Sequence, residues 1–178
     1  EATEKSNLPK FYLDLKSYKK SLLSNSNPYT PAVNLVFALD ESLKMMREEG
    51  LENIFLRHEK HKLAMSSAAK ALNLKLFADE KYLSPSITAI ETGKIDAEEF
   101  RKTIKNKFDI LLAGGQDHLK GKIFRVGHLG YVNDRDIITV ISAISNTLLD
   151  LGKINAQQAG EALVLSLIHI SEPTRLSL

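Results

Sequence analysis

Arg125 lies in the run Gly121-Lys122-Ile123-Phe124-Arg125-Val126-Gly127-His128-Leu129-Gly130, a charged residue among apolar residues and glycines. If the run is a strand, alternation places Ile123, Arg125, Gly127 and Leu129 on one face. A guanidinium there forks onto a carboxylate, and the glycines leave room for a small acid. The competing reading is a structural arginine paired to an acidic neighbour, and pattern alone leaves both open. A second candidate is the proline-framed segment Asn27-Pro28-Tyr29-Thr30-Pro31, which opens onto a helix expected near Leu35. Helix starts expose unpaired N–H groups that attract phosphate, and Thr30 adds a hydroxyl donor. Against this stands the plainer reading that Thr30 caps the loop.

Other features carry less. Gly114-Gly115-Gln116 completes no phosphate-loop or dinucleotide pattern, and a turn explains both glycines. His58 falls on the apolar stripe of its helix and reads as a partly buried, satisfied side chain, whereas His61 falls on the charged side; no metal is expected between them. His118 and His128 flank a strand and could face a cleft, although a structural role is the simpler account. The sequence has no Gly-x-Ser-x-Gly elbow and no His-Glu-x-x-His motif.

The elements that must position these residues follow from periodicity. Residues 1–34 are irregular and rich in proline and small polar residues, as in a loop. Leu35, Leu39, Leu43 and Met46 form a helical stripe that stops at Gly50. Leu51, Ile54, Phe55, Met65, Ala69 and Leu72 form a second, with Arg57, Glu59, Lys60 and Lys62 opposite. Short strands are expected over 74–78 and 86–90. A helix capped by Asp96 and Glu99 carries Phe100, Ile104 and Phe108. Strands over 110–113 and 122–129 come next, then a helix from the Asn133 N-cap to Gly152. The order β-β-α-β-β-α predicts a small α+β domain with helices on one face of a mostly antiparallel sheet.

With 178 residues, 43% of them hydrophobic and 26% charged, the chain can bury a core. A net charge of +2 provides no broad field for nucleic acid or an anionic membrane, and no apolar run is long enough to span a bilayer. The absence of cysteine removes disulfides and thiolate chemistry and fits a cytoplasmic setting. The chain opens without a methionine or a signal peptide, so a truncated start is expected. Near the other end, the segment from Leu165 to Arg175 resembles the translation of a transposase sequencing adaptor. On that reading His169 and Arg175 carry no function, and the native C-terminus is missing.

Several segments resemble one family in order and spacing: Phe11 to Asp14, Tyr29-Thr30-Pro31, Glu49 to Glu52 with Arg57-His58, and the run from Ala113 to Gly130. That family is the class V pyridoxal-phosphate aminotransferases of the alanine/glyoxylate, serine/pyruvate and serine/glyoxylate type, including bacterial members labelled as the small subunit of a soluble hydrogenase. The resemblance implies a fold-type I homodimer with pyridoxal 5'-phosphate, whose small amino acid and keto acid substrates exchange an amino group. It implies that Arg125 binds the substrate α-carboxylate and that Thr30 reaches the cofactor phosphate of the neighbouring subunit. It places the Schiff-base lysine upstream of Glu1, since none of Lys5, Lys10 and Lys16 has the family's lysine context; the chain alone is then inactive. The implied layout assigns 1–50 to the trailing part of the cofactor domain, 51–155 to the small C-terminal domain, 156–164 to an incomplete C-terminus and 165–178 to the adaptor-like tail. The alternatives are a noncatalytic, hydrogenase-associated interaction subunit, and a small domain that binds an anionic metabolite through Arg125.

Overall fold

A computed structural model describes residues 2–171 of the chain. Two compact units emerge, Glu1–Glu49 and Gly50–Leu178, and each is described by itself.

The first unit holds helices α1 (Ala2–Lys5), α2 (Leu15–Leu22) and α3 (Val33–Glu49). Asp14 starts α2 by accepting from the backbone N–H of Lys16. Phe11, Tyr12 and Tyr29 cluster with ring centroids 4.5 to 5.3 Å apart, and the Tyr29 hydroxyl donates to the Phe11 carbonyl. Helix α3 forms where the stripe predicts it, but Leu35, Leu39, Leu43 and Met46 are all exposed. Periodicity shows that a helix face is apolar, not that anything covers it.

In the second unit, helix α4 (Leu51–Ala71) buries His61, Ala64, Met65, Ser66, Ala68 and Ala69. This corrects two expectations. Leu51 and Phe55 are exposed, and His61, expected on the charged side, has no exposed surface at all. The buried face begins with His61 because Asp134 reaches it, which makes a polar side chain acceptable inside.

Among the described residues, β1 (Lys75–Leu76), β2 (Ile87–Glu91), β3 (Ala113–Gly114) and β4 (Ile123–Gly127) form one antiparallel sheet in the order β1-β2-β4-β3. Register sets Ile90 opposite Phe124 and Thr88 opposite Val126, all four buried. Helices α4, α5 (Ala97–Phe108) and α6 (Asp134–Asp150) supply the rest of that core with Met65, Phe100, Ile104, Ile137, Ile141 and Ile144. The expected α+β layer is therefore present. The Phe100 and Phe124 rings meet at 5.2 Å between centroids, a contact that ties α5 to β4. Loss of either ring costs about 3 to 5 kcal/mol by the usual large-to-small penalty.

Helix α5 starts at Asp96, whose carboxylate accepts from the N–H groups of Glu98 and Glu99. The reciprocal capping box occurs instead at α6, where Asn133 and Asp136 bond each other's backbone. Gly152, at φ 60, ends that helix in the left-handed conformation that glycine adopts without strain. Helix α7 (Ala156–Ser171) packs on α4 and α6 and buries Ala159, Ala162 and Ser166. Residues 165–171 of the adaptor-like segment thus continue a packed helix, with His169 Nε2 2.9 Å from Ser67 Oγ. Helical packing describes their conformation and leaves their origin untouched. Arg175 lies outside the described residues.

Candidate functional site

Arg125 is central on β4, with Ala89 of β2 and Ala113 of β3 directly opposite it on either side. Cross-strand neighbours share a face, so alanines on both flanks leave the arginine standing over shallow ground. The face is the one opposite the buried Phe124 and Val126, as alternation predicts for Ile123, Arg125 and Gly127; Leu129 falls beyond the strand end. The Arg125 Nε–H donates to the Gly114 carbonyl at 2.9 Å. Glu91 shares the face but is held by Lys75 at 2.9 Å. Among the described residues no carboxylate pairs with Arg125, so the acid-paired structural arginine is not what the fold contains. What it contains is a half-buried guanidinium fixed at one nitrogen by a backbone carbonyl, with donors to spare.

Gly114 and Gly115 differ from expectation. Neither has a positive φ, so a turn does not explain them. Space does. A Cβ on Gly115 would collide with the Leu119 carbonyl, and one on Gly114 would fall on the Arg101 guanidinium.

Thr30 belongs to the first unit. It is exposed in an open groove lined by Tyr12, Asn25, Asn27, Tyr29, Thr30 and Pro31. Its hydroxyl makes no hydrogen bond among the described residues, so it caps neither the loop nor α3. The hydroxyl is exposed in an open groove and free to donate.

The four histidines singled out in the sequence separate. His118 is exposed in the short turn Asp117–Leu119, and half-buried His58 lies 2.7 Å through Nδ1 from the Ile54 carbonyl. His61 and His128 are fully buried. His61 Nε2 donates to Asp134 at 2.9 Å while its Nδ1 has no partner among the described residues. Burial pushes the His61 pKa down against the opposing pull of Asp134. His128 Nδ1 donates to the Pro85 carbonyl at 3.1 Å, which makes Nε2 the acceptor for the Thr88 hydroxyl at 2.9 Å. Burial lowers its pKa from 6.5 to about 4. Among the described residues no group of histidines and carboxylates is arranged to hold a metal.

Sequence reasoning missed Arg57, which it placed on the charged side of α4. Its Nη1 donates to the carbonyls of Gly130 and Val132 at 3.0 and 2.9 Å, tying the segment after β4 to the helix. The partners are 73 and 75 residues away and are main-chain atoms, so no side-chain pattern signals them.

No family model matches the chain. Individual proteins do. A protein of Anabaena cylindrica named soluble hydrogenase 42 kDa subunit is 54% identical over 155 residues, 87% of this chain and 40% of that protein. A serine–glyoxylate aminotransferase of Arabidopsis thaliana is 34% identical over 85% of this chain and 39% of its own length. The crystal structure of ureidoglycine–glyoxylate aminotransferase from Bacillus subtilis superposes with a TM-score of 0.85 at 31% identity, over 96% of this chain and 44% of that one. The chain spans about two fifths of the length of the relatives it matches. With sequence and fold pointing to the same proteins, the chain belongs to the class V aminotransferase family, whose members use pyridoxal phosphate.

Proposed function

We propose that the chain is the C-terminal part of a transaminase that moves an amino group from alanine or serine to glyoxylate or pyruvate. Residues 1–50 are then the trailing part of its cofactor domain, and the sheet-bearing unit is its small domain. Glyoxylate is favoured by the Arabidopsis and Bacillus relatives, whose names specify it. The observation that carries the reading is Arg125, fixed by Gly114 and unpaired with any carboxylate among the described residues.

In this reading the Arg125 guanidinium holds the substrate α-carboxylate through two parallel N–H bonds and so fixes where the amino group lies. Ala89 and Ala113 leave space for a small acid above the sheet. Thr30 donates its hydroxyl to the cofactor phosphate of the neighbouring subunit. Pyridoxal phosphate, when bound, would supply an electron sink for the pair left on the substrate's α-carbon and a carrier for the amino group. The lysine that carries it belongs to the part of the parent that this chain does not span, so these residues alone are inactive. The homodimer, which rests on the resemblance, and the cytoplasmic setting, which rests on the lack of cysteine, are also part of the proposal. Among the described residues, no helix is long and apolar enough to cross a membrane.

In the full-length enzyme, Arg125→Ala is expected to raise KM for the amino acid by roughly 100-fold, the scale of a lost charge-assisted pair, while the cofactor's visible absorbance survives. Unchanged kinetics would sink the assignment. The second reading, a noncatalytic hydrogenase-associated subunit, has only the Anabaena relative's name behind it, while the other relatives named above are aminotransferases. Purified full-length protein with no bound chromophore and no transamination would support it instead.

A further inference from the structure

We propose that Gly114 and the ion pair beside it, Arg101 with Glu98, position Arg125, so that a substrate carboxylate meets only the end-on Nη1/Nη2 edge of its guanidinium. The inference rests on the reading of Arg125 as the carboxylate site.

An arginine offers a carboxylate two bidentate edges, one through Nε and one Nη, the other through both Nη groups. In Arg125 the first edge is occupied, because Nε donates to the Gly114 carbonyl at 2.9 Å. That carbonyl must itself be held. Gly114 belongs to β3, a two-residue strand at the sheet edge, which is too short to be fixed by its ladder alone. Helix α5 provides the support. Arg101 Nε donates to the Leu112 carbonyl at 2.7 Å, and Arg101 Nη1 donates to both oxygens of Glu98 at 2.9 and 2.8 Å. This pair fills the space a side chain at Gly114 would need: a Cβ there would fall on Arg101 Nη1 and stand 2.7 Å from Glu98 Oε1. On the other side Gly115 N–H donates to the Ile123 carbonyl at 3.2 Å. Glycine at 114 therefore leaves room for an ion pair beside the backbone whose carbonyl aims the arginine. The pair acts on Arg125 only through Gly114, so Arg101 and Glu98 are positioning residues.

The test uses the full-length holoenzyme and competitive inhibition by propionate, with propionamide as the neutral control. Arg101→Met and Glu98→Gln are each compared with Arg125→Ala. We expect Arg125→Ala to erase the preference for propionate over propionamide. Arg101→Met should weaken propionate roughly 10-fold, the scale of a charge-assisted bond held off its best geometry, and leave propionamide unchanged. Glu98→Gln should shift propionate the same way, by less. If Arg101→Met does not fold, Glu98→Gln decides by the same comparison. If Arg125→Ala erases the preference while the folded pair variants keep it, positioning is overturned and the carboxylate site stands. Equal losses for propionate and propionamide also overturn it, because they mark general disorder. Should Arg125→Ala itself leave the preference intact, the carboxylate site fails and this inference fails with it.

Discussion

His128 is neutral at physiological pH because burial disfavours its charged form and outweighs the Pro85 carbonyl, which favours it, while Nε2 accepts from the Thr88 hydroxyl. In the unfolded chain it titrates near the ordinary 6.5, and in the fold near 4. Between those values the unfolded state binds a proton that the folded state refuses, so stability falls as pH drops from about 6.5 to about 4 and this loss is complete below that. The whole effect is on the order of 3 kcal/mol. His61 is shifted in the same direction and adds to it. His128→Gln should flatten the decline in urea midpoint between pH 7 and pH 4 relative to the unmodified protein; parallel curves for the two would refute the assignment. These burials were poorly legible in the sequence. His61 was set among charges because Leu51 and Phe55 defined the stripe, yet those residues are exposed and the buried face of α4 starts only at His61. Arg125 was legible as a strand residue flanked by glycines. Its Gly114 partner was not, because a backbone carbonyl on another strand leaves no trace in composition.

Caps decide where the helices around the sheet begin. Asn133 and Asp136 form a reciprocal box at α6, whereas Asp96 serves α5 alone. Asn133→Ala should therefore cost about 1 to 2 kcal/mol and Asp96→Ala about 1 kcal/mol or less, ranges set by measured N-cap losses. Urea unfolding of the two variants side by side checks the order, and a smaller loss at Asn133 would contradict it. Helix α6 was readable from Asn133 to Gly152 because its cap, its apolar face and its terminating glycine all agree. Periodicity places β2 at its right length and within one residue, makes β1 and β4 too long, and sets β3 too early. Residues 110–113 read as a strand ending before the glycines, while the paired segment is Ala113–Gly114. Apolar runs mark burial, and pairing depends on a partner strand that the run does not specify. Gly114 and Gly115 read as a turn because a sequence records that glycine is present, not whether φ or space requires it.

The two units differ in what holds them together. No described residue of 2–49 is buried, while 50–171 contains a continuous core from α4 through α7. Folding must offset backbone entropy of about 1 to 2 kcal/mol per residue, and only burial on the scale of the second unit does so. Residues 50–171 expressed alone should melt in one cooperative thermal transition, and residues 1–49 alone should show none by circular dichroism. A cooperative melt from 1–49 would overturn this. The family was legible because its signature segments fall in both units, from Phe11 to Gly130; the exposure of the α3 stripe was not, since a helix face does not name its neighbour. The sheet's strand order has a further consequence. The five-residue strands β2 and β4 occupy the centre, and both edges are two-residue strands, Lys75–Leu76 and Ala113–Gly114. An edge that short, bearing Lys75 on one side and glycine on the other, gives another chain almost nothing to pair with. The native sheet is thereby a poor seed for fibrils, and the long strands become available for intermolecular pairing only after the domain has opened.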